Sequence, residues 1–178
     1  MSELFNTGFA RKVIVLHNNH RRRQKMALRA NYMGLAPKAM QILMEQESYL
    51  RVQFQNSETV TVSVWELIKL RISQINQCAF CIDMHSKDAI AQGETSERII
   101  GLNAWRDMPL YSDIEIASLE FAEHLTSGKA VDDRSYQKVR DTLGEQALVD
   151  LTIAINAINS WNRIVKTFKP EVGSYKPQ

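Results

Sequence analysis

Apolar positions along this chain recur with the period of a helix wherever a pattern is sustained, and short polar connections separate the periodic stretches. Behind Pro37, a proline suited to a first helical position, Met40, Leu43, Met44 and Leu50 fall on helical spacing. The polar run 53–61 reads as a connection. Ser63 then offers a cap with Glu66 three residues on, a capping-box pattern, and Trp65, Leu67, Ile68, Ile72 and Ile75 carry an apolar helix to about Asn76. A second helix is expected from Gln77 or Cys78 to Gln92, stopped by Gly93. Thr95 or Ser96 opens a short helix to about Arg106, closed by Pro109. Ser112 with Glu115 forms another capping box, for a helix ending at Gly128. Asp132 or Asp133 starts the next, ending at Gly144, and the last covers about 145–169 before Pro170. No Asn-Gly hairpin, alternating strand series or Gly-rich phosphate loop interrupts the succession. The expected fold is all-α, a single-domain bundle of about seven helices.

Residues 1–28 do not share the pattern. Lys12–Leu16 is the most strand-like run in the chain, and a polar, basic segment follows it. His17 and His20, spaced i, i+3, could present one face to a metal, but no carboxylate or cysteine lies near them. Eight of the 22 basic residues and one of the 20 acidic residues fall at or before Lys38. A short basic run without a motif reads as a solvated or subunit-contacting extension and does not point to nucleic acid. The organisation expected is an N-terminal extension over 1–28, a helical domain over 29–170 and a polar tail over 171–178.

Composition changes little. At 178 residues, 44% hydrophobic and 24% charged, the chain has the size and balance of one globular domain. No apolar run approaches the roughly 20 residues needed to span a bilayer, so no membrane partner is expected. The N-terminus lacks the long apolar stretch of a secretory signal, which makes the cytoplasm the expected compartment. Cysteine does change the picture. There are only two, Cys78 and Cys81, so a disulfide framework is excluded. In a reducing compartment such a CxxC points to catalysis, redox chemistry or metal binding.

Candidate chemistry therefore concentrates in 64–92. At about 100° per residue, Cys78 and His85 fall within ~20° of each other around a helix axis, and Cys81 within ~60° of both. If the helix begins at the CxxC, both sulfurs sit near unpaired N–H groups and the positive end of the dipole, an environment that favours thiolate. His85, one turn after Cys81, is placed to exchange a proton with a thiol. Glu66 is different. On one straight helix it would lie ~18 Å from Cys78, and only a turn around 73–77 brings it back. The polar residues Ser73, Gln74, Asn76 and Gln77 permit that turn, and a carboxylate so returned could hold or pass a proton. Three readings of the set remain open: a redox dithiol, two buried small hydrophobes, or part of a zinc site with His85 and Glu66. Structural zinc usually takes a second Cys/His pair, which is lacking. A thioredoxin-type motif is excluded because no strand precedes the CxxC.

The stretch ELIKLRISQINQCAFCIDMH resembles the core motif of the alkylhydroperoxidase D-like proteins in the carboxymuconolactone decarboxylase superfamily. In that motif a glutamate precedes the CxxC by twelve positions and a histidine follows its second cysteine by four, as Glu66, Cys78, Cys81 and His85 do. The similarity runs from about Asn31 to Phe168 and includes APKAM, YSDIEIASLEFAEHLT and the closing INAINSWNR. It implies an all-α bundle whose CxxC helix meets other subunits, usually in trimers or hexamers. It also implies a peroxidase acting on hydrogen peroxide or organic hydroperoxides, without a cofactor or metal, and recharged by a thiol or protein electron donor. Cys81 would be the peroxidatic thiolate, Cys78 the proton donor and resolving thiol, and His85 with Glu66 the proton relay. The alternative is a non-enzymatic redox sensor or oligomeric adaptor using the same disulfide. One position departs: the best-known peroxidases of the family carry a histidine directly before the second cysteine, and here it is Phe80. The decarboxylase branch lacks the dithiol, which argues against lactone decarboxylation. Asn159, Trp161, Asn162 and Arg163 match the C-terminal signature and are assigned to buried hydrogen bonding or a subunit contact.

Overall fold

The computed structural model describes residues 29–177. Among them the chain forms α1 (Tyr32–Leu35), α2 (Pro37–Gln55), α3 (Val62–Ile75), α4 (Ala79–Ala91), α5 (Ser96–Gly101), a 3-10 turn (Leu102–Asp107), α6 (Asp113–Thr126), α7 (Asp133–Leu143) and α8 (Glu145–Phe168). The architecture is all-α, and the described residues contain no strand. All seven expected helical segments are present, with the four-residue α1 added in front of Pro37. Lys12–Leu16, the His17/His20 pair and the rest of 1–28 lie outside the described residues.

Side-chain caps set most helix starts. Thr95 and Asp132 accept from the amides of Arg98 and Ser135, and Ser112 with Glu115 forms the full reciprocal capping box. The segment expected as one helix to Arg106 divides at Gly101, where Met108 packs so closely that a Cβ would lie 1.9 Å from its sulfur. The capping box expected from Ser63 and Glu66 does not form. Thr61 caps α3 instead, accepting from the Val64 amide, so the helix starts at Val62 and Glu66 is drawn into the interior.

The reason lies in the position of α3. It packs against α2, α4, α6, α8 and the 3-10 turn. Every residue from Val64 to Leu70 is buried, as are Ile72 and Ser73. Helices that are apolar nearly all round occupy cores, and Glu66 and Lys69 are the two charges that α3 buries, with Arg71 half-buried on the same helix. Leu50 and Phe54 of α2, Leu119 of α6, and Leu151 and Ile155 of α8 close around it.

At its C-terminal end the chain reverses within a few residues. Asn76 caps the helix, Gln77 takes a left-handed φ of 53°, and the Cys78 amide donates to the Ser73 carbonyl. A non-glycine residue there is uncommon and strained, and contacts from α8 hold the reversal in place. Asn76 Nδ2 donates to Asn159 Oδ1 and Asn162 Oδ1, each at 2.9 Å. Asn162 Nδ2 donates to Ser73 Oγ at 3.1 Å, and Lys166 Nζ to the Asn76 carbonyl at 2.7 Å. The asparagines of the C-terminal signature thus pin the turn that precedes the CxxC. Asn162 is fully buried, so Asn162→Ala is expected to lower stability by about 1–3 kcal/mol through lost buried hydrogen bonds. Urea unfolding measures this, and an unchanged midpoint would mean that the network does not hold the turn.

Candidate functional site

Cys78 is the N-cap of α4, and Cys81 occupies its first turn. The two are joined as a disulfide with Cα atoms 5.3 Å apart, and both residues are 1% exposed. Their cover is apolar: Val165 of α8 and, partly buried, Phe80. The position at which the sequence departs from the best-known peroxidases therefore supplies hydrophobic cover and no ionisable group. His85 follows Cys81 by one turn and is 4% exposed.

The reversal at 73–78 turns α4 back along α3, and this brings Glu66 to His85. Glu66 Oε2 is 3.0 Å from His85 Nδ1, and its Oε1 is 2.5 Å from Lys69 Nζ. An ionised carboxylate only accepts hydrogen bonds, so the Nδ1–H of a neutral imidazole donates to it and Nε2 is left with a free lone pair. That Nε2 atom is buried and has no hydrogen-bond partner among the described residues. Burial raises the Glu66 pKa, but the hydrogen bond from His85 and the charge of Lys69 outweigh it, and the group falls from 4.5 to about 2. For His85, burial is the largest influence and disfavours the charged form. Lys69 adds to it, and the net direction is down from 6.5 despite the Glu66 carboxylate.

Three residues at the site escaped the sequence reading. Lys69 is 5% exposed, pairs with Glu66 and lies 3.6 Å over the Trp65 ring. Its signal was present: Glu66 and Lys69 are the only charged residues in the apolar run Val62–Leu70. Asp88, one turn after His85, is the second. The third is Tyr175 in the tail, whose hydroxyl donates to Asp88 Oδ1 at 2.8 Å. Burial, followed by that bond, moves the Tyr175 pKa up to about 12. The polar tail lies against α4, since Gly173 N donates to Asp83 Oδ2 and Lys87 Nζ to the Tyr175 carbonyl. No local pattern announces such a contact. Donor atoms of Glu66, His85 and Asp88 come within 4.8 Å of one another, a spacing a cation could use. Lys69 already supplies positive charge there, and both Glu66 oxygens are occupied.

A profile of the Carboxymuconolactone decarboxylase family matches residues 47–124, a span that contains Glu66, both cysteines and His85. The uncharacterized protein YdfG of Bacillus subtilis (strain 168) is 47% identical over 141 residues, which is 78% of this chain and 92% of YdfG. The chain belongs to the carboxymuconolactone decarboxylase family. Within the family it is AhpD-like. A crystal structure from Agrobacterium tumefaciens, of a protein of unknown function (ATU0492) proposed to be an antioxidant defence protein AhpD, superposes with a TM-score of 0.72 at 33% identity. The match covers 84% of this chain and 98% of that one. The debrominase Bmp8 shares the fold at a TM-score of 0.69 and 15% identity, over 80% of this chain and 74% of its own. At that identity only the fold is shared.

The two depressed pKa values have one consequence for stability. In the unfolded chain His85 and Glu66 bind protons at their ordinary values of 6.5 and 4.5, but in the fold both bind them less readily. The unfolded state therefore holds more protons throughout both windows, and stability rises with pH there. The His85 contribution is complete above about 6.5 and is lost as pH falls through the folded value. The Glu66 contribution is complete above about 4.5 and is lost towards pH 2. Urea unfolding free energy is expected to decline from pH 7 downward, and His85→Gln to flatten the part between pH 7 and 5. A flat wild-type profile over that range would contradict a buried neutral imidazole.

Proposed function

We propose that this protein is a thiol-dependent peroxidase that cycles through the Cys78–Cys81 disulfide and reduces hydrogen peroxide or organic hydroperoxides. One observation carries the reading: a buried disulfide at a helix N-terminus has, one turn away, a histidine whose Nδ1 is engaged by Glu66 and whose Nε2 is unbonded. In the reduced protein, His85 Nε2 would accept the Cys81 proton, and the first-turn amides of α4 would favour the thiolate. The thiolate sulfur attacks the terminal peroxide oxygen and the O–O bond breaks. Cys81 becomes a sulfenic acid, and the alkoxide or hydroxide leaves with a proton supplied by Cys78 or returned through His85. The Cys78 sulfur then attacks the sulfenic sulfur, forming the disulfide and releasing water. Two electrons from an external thiol or dithiol protein restore both thiols.

We extend the reading to a homo-oligomer, a trimer or hexamer, in the cytoplasm, where reducing thiols are abundant. On α2, Ile42, Tyr49 and Val52 are exposed at spacings of seven and three, an apolar stripe that a second copy could cover. The test is to add peroxide to the reduced protein and count free thiols, then follow peroxide loss in the presence of a dithiol reductant. The reading requires loss of two thiols per chain together with turnover. Thiol loss without turnover would replace it with the redox-sensor reading.

A further inference from the structure

α3 buries two opposite charges three residues apart, yet Glu66 alone suffices to orient His85. Lys69 calls for its own explanation. Its ammonium has given up nearly all water for one carboxylate oxygen and the face of Trp65. A buried ion pair of this kind contributes little over two apolar side chains of similar volume. Its significance lies in the charge balance of the cluster. Glu66 carries one negative charge inside a low-dielectric core, where net neutrality is strongly favoured. Among the described residues, two groups in contact with it can supply the balancing positive charge: Lys69, or His85 as an imidazolium. With Lys69 in place, a proton on His85 would be a second, uncompensated charge. Without Lys69, that proton becomes the only local counter-charge.

We propose that Lys69 is a positioning residue whose ammonium is the standing counter-ion of Glu66, so that His85 stays neutral and keeps its Nε2 open as the proton acceptor for Cys81. This rests on the Glu66–His85 relay of the peroxidase reading. It also accounts for the orphaned state of Nε2, which an imidazolium would have to satisfy as a buried donor. The other charged and titratable groups around the cluster do not take over the role. On α2, Glu47 accepts from Trp161 Nε1 at 3.1 Å and is itself attracted to Lys69, and Arg51 lies where it acts on Glu47. Asp88 on α4 favours a charged His85 but has the Tyr175 hydroxyl on it. From α8, Lys166 is committed to the Asn76 carbonyl.

The test reads the His85 ring directly, by NMR titration of oxidised, histidine-labelled protein, with the signal assigned by its loss in His85→Gln. Wild-type His85 is expected to titrate below 6.5. Lys69→Met is expected to raise its midpoint by at least one pH unit, a tenfold gain in proton affinity. Lys69→Gln, which can keep a hydrogen bond to Glu66 without charge, is expected to do the same with the packing preserved. Lys69→Arg is expected to restore the wild-type value. A purely structural lysine would leave the midpoint in place in any variant that folds, so an unmoved or lowered value in folded Lys69→Gln overturns the proposal, as does a failure of arginine to restore it. Peroxide turnover is assayed separately on the wild type. Its absence would remove the peroxidase reading and leave the titration to judge Lys69.

Discussion

Cys81→Ser is expected to eliminate peroxide consumption, with a loss of about a thousandfold or more in rate. A serine hydroxyl beside a neutral imidazole is a far weaker nucleophile than a thiolate, and removing the attacking atom of a catalytic unit typically costs several orders of magnitude. The variant also retains a single thiol, Cys78, so peroxide should oxidise no Cys78–Cys81 pair. Cys78→Ser separates the two roles. It keeps the attacking sulfur but has nothing to resolve the sulfenic acid, so one equivalent of peroxide is expected to be consumed before the chain stalls and drifts to the irreversible sulfinic acid. The measurement is peroxide loss, with a dithiol reductant for wild type and Cys81→Ser. For the single-equivalent stall of Cys78→Ser it is made without one, since an external thiol would resolve the sulfenic acid. Thiols are counted before and after. Equal rates in wild type and Cys81→Ser would end the peroxidase reading.

The largest effect on stability is expected from Glu66→Leu, which leaves the Lys69 ammonium buried without a carboxylate and deprives His85 Nδ1 of its acceptor. Breaking a buried ion pair from one side costs about 3–5 kcal/mol. The double variant Glu66→Leu with Lys69→Met should recover most of that loss, because an apolar pair of similar volume is often neutral or better. The two single variants should also be unequal at pH 7. When Lys69 is removed, His85 can take up a proton and balance Glu66. When Glu66 is removed, no carboxylate among the described residues is left in contact with the Lys69 ammonium, Glu47 acting on it only from farther away. Lys69→Met is therefore expected to be the milder. Urea unfolding of the four proteins closes the cycle, and a cost below about 1 kcal/mol for Glu66→Leu would show that Lys69 does not depend on the carboxylate.

How far the chain could be read locally is clear from particular residues. Helical periodicity and capping chemistry are properties of neighbouring residues, so Ser112 with Glu115, Thr95, Asp132 and the segments they open were legible. So was the place of His85 one turn after Cys81 on the same helix, whereas Cys78 is the extended N-cap that precedes it. The Ser63 cap failed for a tertiary reason. The capping-box pattern names Glu66 as a partner of its own helix terminus, but a carboxylate inside a core goes to the strongest donors within reach, and those come from Lys69 and from His85 on the next helix.

By itself, then, the sequence determined the all-α class, the helix boundaries to within a few residues, the adjacency of the dithiol and its histidine, and the family signature around them. The tertiary structure decided whether Glu66 joins them. The turn at 73–78 depends on asparagines more than eighty positions away on α8. The burial that depresses the His85 pKa, and the contact with His85 that helps depress that of Glu66, depend on helices closing around α3. The hydroxyl on Asp88 comes from a tail that no periodicity assigns to the site. Periodicity reports which face of a helix is apolar. What that face meets, and hence whether a charge on it is solvated, paired or available to carry a proton, is set by contacts distant in the chain.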